Sequence, residues 1–133
     1  MSEYVVDAAA VVQALSGKGA VGKELRIRLA AAICHAPHLI DAEVGNALRG
    51  GVRRGEVDEE QAHTALRGLG RLVEHRYPHT TPLMESAWQL RHTISFYDGL
   101  YVALATMLAL PLLTADVKLT KAPGLTCRYE LIS

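Results

Sequence analysis

The sequence predicts an α/β fold, with helices packed on both faces of a short parallel sheet of four to five strands. Half of the 133 residues are hydrophobic but only 5% are aromatic, so the core must consist mainly of Ala, Leu and Val. Short apolar runs that end in an acid or a proline alternate with longer segments of helical periodicity. Alternating strands and helices favour a three-layer α/β/α arrangement over a sandwich or a barrel.

Size and charge restrict the class of protein further. A chain of 133 residues is long enough for one hydrophobic core and too short for two, so residues 1–133 are predicted to form a single domain. Fourteen basic and fourteen acidic residues cancel, which excludes a global field that would attract nucleic acid or an anionic membrane. Neither a basic leader nor an apolar run of roughly 18 residues is found, so a cytoplasmic protein without membrane contact is expected.

The first elements are predicted from a strand, an acid and a helix in succession. Tyr4–Val6 form an apolar β-type run that ends at Asp7, and the following AAAVVQAL favours a helix. After a loop that contains several glycines, a second helix is expected over 23–32. A second strand over 33–36 then ends at Pro37.

Two helices are predicted in the middle of the chain. The first begins near Leu39, where apolar residues recur at helical spacing, and it is expected to weaken at the glycines at 50–51. Asp58 followed by Gln61 resembles a capping box, which opens a helix that is expected to end near Val73.

The region 74–108 is predicted to contain a third strand and two further helices. The strand covers 74–77, and a helix starts at Thr81 and runs to about His92. Another helix carries Asp98 in its first turn, with Ser95 as its cap.

The last part of the chain is predicted to complete the sheet. Pro111 ends the preceding helix, and the apolar pair 112–113 leads out to Asp116, as a buried parallel strand does at its carboxyl end. A short helical turn to Lys121 and a β-type run over 126–132 follow.

Four acidic residues follow or flank apolar segments: Asp7, Glu43, Asp98 and Asp116. Each has an ordinary explanation when taken singly, as a helix cap, an exposed helix charge or a partner of a helix dipole. If they meet at the carboxyl edge of the sheet, their repulsion is costly unless a cation neutralises them or some become protonated. Oxygen ligands without clustered Cys or His suit Mg²⁺ or Mn²⁺. The two cysteines match no metal-ligand spacing with the histidines, and reduced thiols are expected.

The segments VVDAAAVV, HLIDAEVGNALR, SFYDGLYVALA and LLTAD, in this order, resemble the PIN-domain ribonucleases. They are most similar to the VapC toxins of bacterial type II toxin-antitoxin systems, and the resemblance spans nearly the whole chain. It implies a PIN-like nuclease domain in which the four acids form the family's acidic quartet. Asn46 and Thr114 fall where family members often carry supporting polar residues. The glycines at 45, 50 and 51 depart from the helix formers expected there.

This resemblance implies a metal-dependent endoribonuclease that leaves 5′-phosphate and 3′-hydroxyl ends. Asp7 and Asp98 are expected to be the main ligands of Mg²⁺ or Mn²⁺, and Asp116 a further or water-mediated ligand. Glu43 is expected to be a ligand or a base that orients water, and Asn46 and Thr114 would orient these groups. The resemblance also implies a cognate VapB-type antitoxin and a homodimer.

RNA contact is expected from basic residues on both flanks of the acids: Arg49, Arg53, Arg54, Lys118 and Lys121. A solvated helix end is the alternative interpretation of the arginines. Tyr97 and Tyr101 are expected in the core in preference to stacking on bases.

Two alternatives to the ribonuclease remain at this point. One is a catalytically inactive PIN fold that acts as a protein-interaction module. The other is a receiver-like metal-binding module, which needs neighbouring acids after its first strand and a lysine at a strand end. The sequence does not favour the receiver, because Asp7 stands alone and Thr114 leads to another acid.

Overall fold

The computed structural model describes residues 1–132, so Ser133, the last residue of the predicted domain 1–133, lies outside the described residues. The elements in chain order are β1 (Glu3–Val6), α1 (Ala8–Ser16), α2 (Gly19–Ala30), β2 (Ile33–Pro37), α3 (Leu39–Arg53), α4 (Glu59–Leu72), β3 (His75–Tyr77), α5 (Thr81–Trp88), α6 (Phe96–Leu108), β4 (Leu112–Thr114), α7 (Val117–Thr120) and β5 (Tyr129–Leu131).

The five strands form one sheet in the order β3-β2-β1-β4-β5, and every neighbouring pair is parallel. The predicted α/β fold with a short parallel sheet is therefore confirmed. The chain moves outward from β1 through β2 to β3 and then returns to the other side of β1 to form β4. Because parallel crossovers are right-handed, this reversal places α1–α4 on one face of the sheet and α5–α6 on the other.

Packing between the elements agrees with these three layers. On one face α1 contacts α2, α3 and α4, whereas α5 packs on α6, which contacts β1, β2 and β4. The central strands are covered on both sides, and Val5, Val6, Leu112 and Leu113 are completely buried. Strands buried on both faces are continuous apolar runs, which explains the pattern of these segments. No helix within residues 1–132 has the length and apolar character needed to span a membrane.

Helix α2 begins at Gly19, earlier than the predicted residue 23. The sequence predicts a loop through these glycines, but Gly22 lies inside α2 and serves close packing. A Cβ atom at Gly22 would lie 2.6 Å from the carbonyl oxygen of Gly17 at the end of α1. The glycine therefore allows the two helices to approach each other.

The sequence predicts that helix α3 weakens at Gly50 and Gly51. This prediction is wrong, because the helix continues to Arg53. Gly51 is buried, and a Cβ atom there would lie 3.2 Å from the Val57 side chain in the following turn. Tertiary contact thus overrides the low helix propensity of glycine. The start of α3 is capped from a distance, because the Nε2 atom of His79, after β3, accepts a hydrogen bond from the Leu39 amide at 2.9 Å.

Other helix ends differ from prediction by a few residues. Helix α5 ends at Trp88, short of His92, because the next amides donate to carbonyls three residues back, as in the Arg91 to Trp88 hydrogen bond. Helix α6 ends before Ala109, which adopts a left-handed conformation with φ of 55°. The predicted capping box of Asp58 and Gln61 is confirmed.

Candidate functional site

The carboxyl ends of β1 and β4 carry two of the four predicted acids. Asp7 directly follows β1, and Asp116 follows β4 after one intervening residue. The strands are neighbours, and the Asp7 amide donates a hydrogen bond to the Leu113 carbonyl at 3.3 Å. Strand order reverses at this pair, and such a reversal opens a crevice in which parallel sheets bind ligands.

Asp7 is buried, and both of its carboxylate oxygens accept hydrogen bonds. Oδ1 caps α1 by accepting from the Ala10 amide at 2.9 Å, and Oδ2 accepts from the Thr114 hydroxyl. Burial raises the pKa of Asp7 despite these bonds, and the nearby charges of Asp98 and Asp116 raise it further. The carboxylate is therefore held in a position where its charge is costly.

Thr114 links the two strand ends. Its side chain is completely buried, and its hydroxyl donates to Asp7 while accepting from the Asp116 amide at 3.0 Å. Asp116 in turn caps α7, since its Oδ1 accepts from the Leu119 amide at 3.2 Å. Thr114 is one of the two residues for which the sequence predicted a supporting role.

Asp98 enters the site from the first turn of α6. The predicted Ser95 cap is confirmed, because the Ser95 hydroxyl oxygen accepts from the Asp98 amide at 3.1 Å. Burial raises the pKa of the half-buried Asp98 carboxyl, and the charge of Asp116 raises it further. Asp7, Asp98 and Asp116 therefore lie close enough to repel one another.

Glu43 approaches from α3 and is held by a residue whose role the sequence did not reveal. The Tyr101 hydroxyl donates to Glu43 Oε1 at 2.6 Å, and the Tyr101 side chain is only 2% exposed. Burial and the Glu43 contact raise the pKa of Tyr101 strongly, and the charges of Asp7 and Asp98 add to this. The expected burial of Tyr101 is confirmed. Its hydrogen bond to Glu43 is not predicted by the sequence, in which the only indication that Tyr101 lies near the site is that it follows Asp98 by three residues.

The donor chemistry of this site fits a hard divalent cation. All four acids offer carboxylate oxygens, and the ion pairs within residues 1–132 involve other acids: Glu3, Asp41, Glu56 and Glu130. No three His, Cys, Asp or Glu side chains in this part of the chain converge as a ready ligand group for one ion. Mg²⁺ does not require such a group, because it keeps several waters and binds through one or two carboxylates.

The other predicted site residues are on the surface. Asn46 is exposed, and the described residues include no hydrogen bond from its side chain to the four acids. Arg49 and Arg53 are exposed on α3. Arg54 is also exposed but pairs with Glu56, with its Nε atom 3.0 Å from Oε1.

The basic residues of the second flank are exposed as well. Lys118 lies in α7, two residues after Asp116, and Lys121 follows the end of that helix. Both flanks that the sequence indicated therefore present cationic side chains to solvent.

A separate apolar surface lies on α5 and the start of α6. A cavity of about 710 Å³ is lined by Thr81, Met84, Glu85, Trp88, Gln89 and Phe96, and by none of the four acids. Trp88 is 55% exposed beside it. Tyr97 is 60% exposed, so its expected place in the core is wrong. Exposed apolar groups of this kind are typical of protein contacts.

Comparison with known proteins gives a consistent picture. No protein-family model matches the sequence. The chain is 58% identical over 132 residues to ribonuclease VapC1 of Mycobacterium tuberculosis. The aligned region covers 99% of each of the two chains.

Two solved structures, one of a VapBC complex and one of a VapC toxin, share the fold of this chain. VapBC2 from Rickettsia felis, bound to a DNA fragment from its promoter, has a TM-score of 0.72 at 14% identity and covers 98% of this chain and 99% of that one. VapC20 of Mycobacterium tuberculosis, a Sarcin-Ricin loop cleaving toxin, has a TM-score of 0.65 at 19% identity, with coverage of 90% and 94%.

Proposed function

The chain belongs to the VapC family of ribonucleases, and we propose that its carboxylate cluster binds the divalent cation required for RNA cleavage. Membership in the family makes the protein an endoribonuclease toxin.

One observation carries the metal proposal. The charges of Asp98 and Asp116 help to raise the pKa of Asp7, and that of Asp116 helps to raise the pKa of Asp98. The ion pairs of residues 1–132 are made by acids other than these three. Such a cluster is stabilised by a cation. Mg²⁺ or Mn²⁺ matches the oxygen donors.

The four acids have different roles at the cation. We assign Asp7 and Asp98 as direct ligands, Asp116 as a further or water-mediated ligand, and Glu43 as a ligand or a base that orients water. A bound cation of this kind makes water a better nucleophile and offsets negative charge on the phosphoryl and leaving oxygens. Thr114 holds the Asp7 carboxylate, and we assign Asn46 a supporting role on the α3 surface.

Substrate binding requires attraction that the four acids do not supply. We propose that Arg49, Arg53, Arg54, Lys118 and Lys121 contact the RNA backbone. Attack in line with the departing 3′ oxygen leaves 5′-phosphate and 3′-hydroxyl ends.

Metal dependence and the role of Asp98 are tested together. We expect RNA cleavage with Mg²⁺ or Mn²⁺ that stops in excess EDTA. Asp98→Asn keeps the backbone amide that bonds Ser95 but removes a charge, so metal affinity and rate should both fall at least roughly 10-fold. Asp58→Asn is the matched control, because Asp58 is an exposed helix cap and Asn caps helices equally well.

Cleavage that persists in EDTA, or an Asp98→Asn variant that cuts as fast as the wild type, would contradict the proposal. An inactive PIN-fold interaction module, the alternative from the sequence, would show no metal-dependent cleavage in this assay.

Family membership also supports a protein partner. We propose that a cognate VapB-type antitoxin restrains the toxin and that the toxin itself forms a homodimer. We include a cytoplasmic location in the proposal, because Cys34 and Cys127 are both free thiols, as is usual in reducing compartments. Cell fractionation checks this location.

A further inference from the structure

Tyr101 places a single polar atom inside the hydrophobic layer formed by α6. The residues around it in the helix, from Gly99 to Ala105, are all buried. A buried hydroxyl is costly without a hydrogen-bond partner. Here the partner is the carboxylate of Glu43, which is 58 positions earlier in the chain and belongs to α3.

The Tyr101 hydroxyl lies near the acids that α3, α6 and β1 bring to the site. Glu43 accepts its hydrogen bond at 2.6 Å, and Asp98 lies one helical turn before Tyr101 on α6. Helix α6 also packs on β1, whose last residue directly precedes Asp7. Within residues 1–132, this is the only hydrogen bond made by the Glu43 side chain.

We propose that Tyr101 is a positioning residue that fixes the carboxylate of Glu43 as a ligand of the divalent cation. The inference rests on the proposed function, because it presupposes that the acids bind a cation. Glu43 has three rotatable side-chain bonds, and a charge-assisted hydrogen bond to one oxygen restricts them while the other oxygen stays available. A phenol is suited to this role, since it carries no positive charge that would neutralise the carboxylate.

The direct test is the substitution Tyr101→Phe, which removes the hydroxyl and keeps the ring. Affinity for Mn²⁺ is measured by calorimetric titration of the full chain without RNA. Removing groups that orient metal ligands weakens metal binding or activity about 10- to 100-fold, and we expect roughly 10-fold weaker Mn²⁺ binding here.

A matched control separates this effect from loss of a buried tyrosine hydroxyl in general. Tyr4 is 8% exposed, and its hydroxyl accepts a hydrogen bond from Arg28 at 3.0 Å, toward the opposite end of β1 from Asp7. Tyr4→Phe should lower the melting temperature and leave Mn²⁺ affinity unchanged. Equal loss of Mn²⁺ affinity in both variants would overturn the inference, because the effect would then be a general one.

A double-mutant cycle shows whether Tyr101 acts through Glu43. Glu43→Gln should weaken Mn²⁺ binding, and Tyr101→Phe should cause no further loss in that background. Additive losses would overturn the inference.

Failure of the two proposals can be told apart. If Asp98→Asn and Glu43→Gln both weaken Mn²⁺ binding and Tyr101→Phe does not, only the role of Tyr101 is wrong. If all three variants bind Mn²⁺ like the wild type, the metal site itself is wrong, and the role of Tyr101 falls with it.

Discussion

At Asp7, one carboxylate serves both the helix that follows it and the site beside it. Its Oδ1 caps α1, and its Oδ2 is held by Thr114. Both bonds stabilise the charged form, yet burial outweighs them and the pKa of Asp7 is raised. The residue is thus kept at a cost to the stability of the metal-free fold, as is common for groups that serve function.

This cost predicts a pH dependence of stability. Because the pKa of Asp7 is higher in the folded protein than in the unfolded chain, its contribution is most favourable below the unfolded pKa. It is lost as the pH rises through the folded pKa, by about 1.4 kcal/mol for each unit between the two values. Asp7→Asn keeps a capping side chain without this loss, so at neutral pH the metal-free variant should unfold at a higher temperature than the wild type.

The measurement is thermal unfolding in EDTA across the acidic range. The difference between Asp7→Asn and the wild type should grow with pH, whereas Asp58→Asn, at an exposed cap, should follow the wild type. A constant difference across the range would contradict the prediction.

At the scale of elements, α3 and α7 each combine an acid of the site with basic residues on the surface. Helix α3 carries Glu43 and Arg53, and its start is held by His79 from the end of β3. Helix α7 begins at its cap Asp116 and carries Lys118. Each element therefore carries one acid of the site together with exposed basic side chains.

These two flanks predict how RNA binding depends on salt. Phosphate contacts release counterions, so affinity falls as salt rises. Removing one cation that binds a phosphate of single-stranded RNA lowers the slope of log affinity against log salt by about 0.7. The double variant Arg53→Gln/Lys118→Gln should thus flatten the slope by roughly 1.4 and leave Mn²⁺ affinity unchanged.

A control pair removes the same charge elsewhere. Lys23→Gln/Arg67→Gln alters exposed residues of α2 and α4, which carry none of the four acids, and its salt slope should match the wild type. If Arg53→Gln/Lys118→Gln keeps the wild-type salt slope, neither Arg53 nor Lys118 contacts the RNA.

At the scale of the whole molecule, charge is balanced and apolar surface is unevenly distributed. Fourteen basic residues match fourteen acidic ones, so no net charge opposes association of two copies. Met84, Trp88 and Tyr97 leave apolar surface exposed on α5 and α6. Covering this surface would stabilise an assembly.

We therefore expect a solution mass of twice that of the chain. Trp88→Glu places a charge on the apolar surface and should shift the mass to that of a monomer. Ile27→Glu is the matched control, because Ile27 is 63% exposed but lies on α2, and this variant should remain dimeric. Light scattering of the toxin without its antitoxin measures these masses, and a monomeric wild type would rule out the homodimer.

The sequence by itself determined the features that depend on neighbouring residues. Capping pairs such as Ser95 with Asp98, and Asp58 with Gln61, lie three residues apart, so their chemistry can be recognised from spacing. Apolar runs and the acids after them predicted the ends of β1 and β4, because a buried parallel strand must leave the core at its carboxyl end.

Only the tertiary structure decided the contacts between residues far apart in the chain. Tyr101 reaches Glu43, and Thr114 reaches Asp7 across 107 positions, because sheet order and helix packing bring their elements together. Glycine roles were decided in the same way, since Gly22 and Gly51 lie inside helices where a neighbouring segment leaves little room for a side chain. Local patterns carry no information about which distant atom fills that space, and so these features depend on the folded chain.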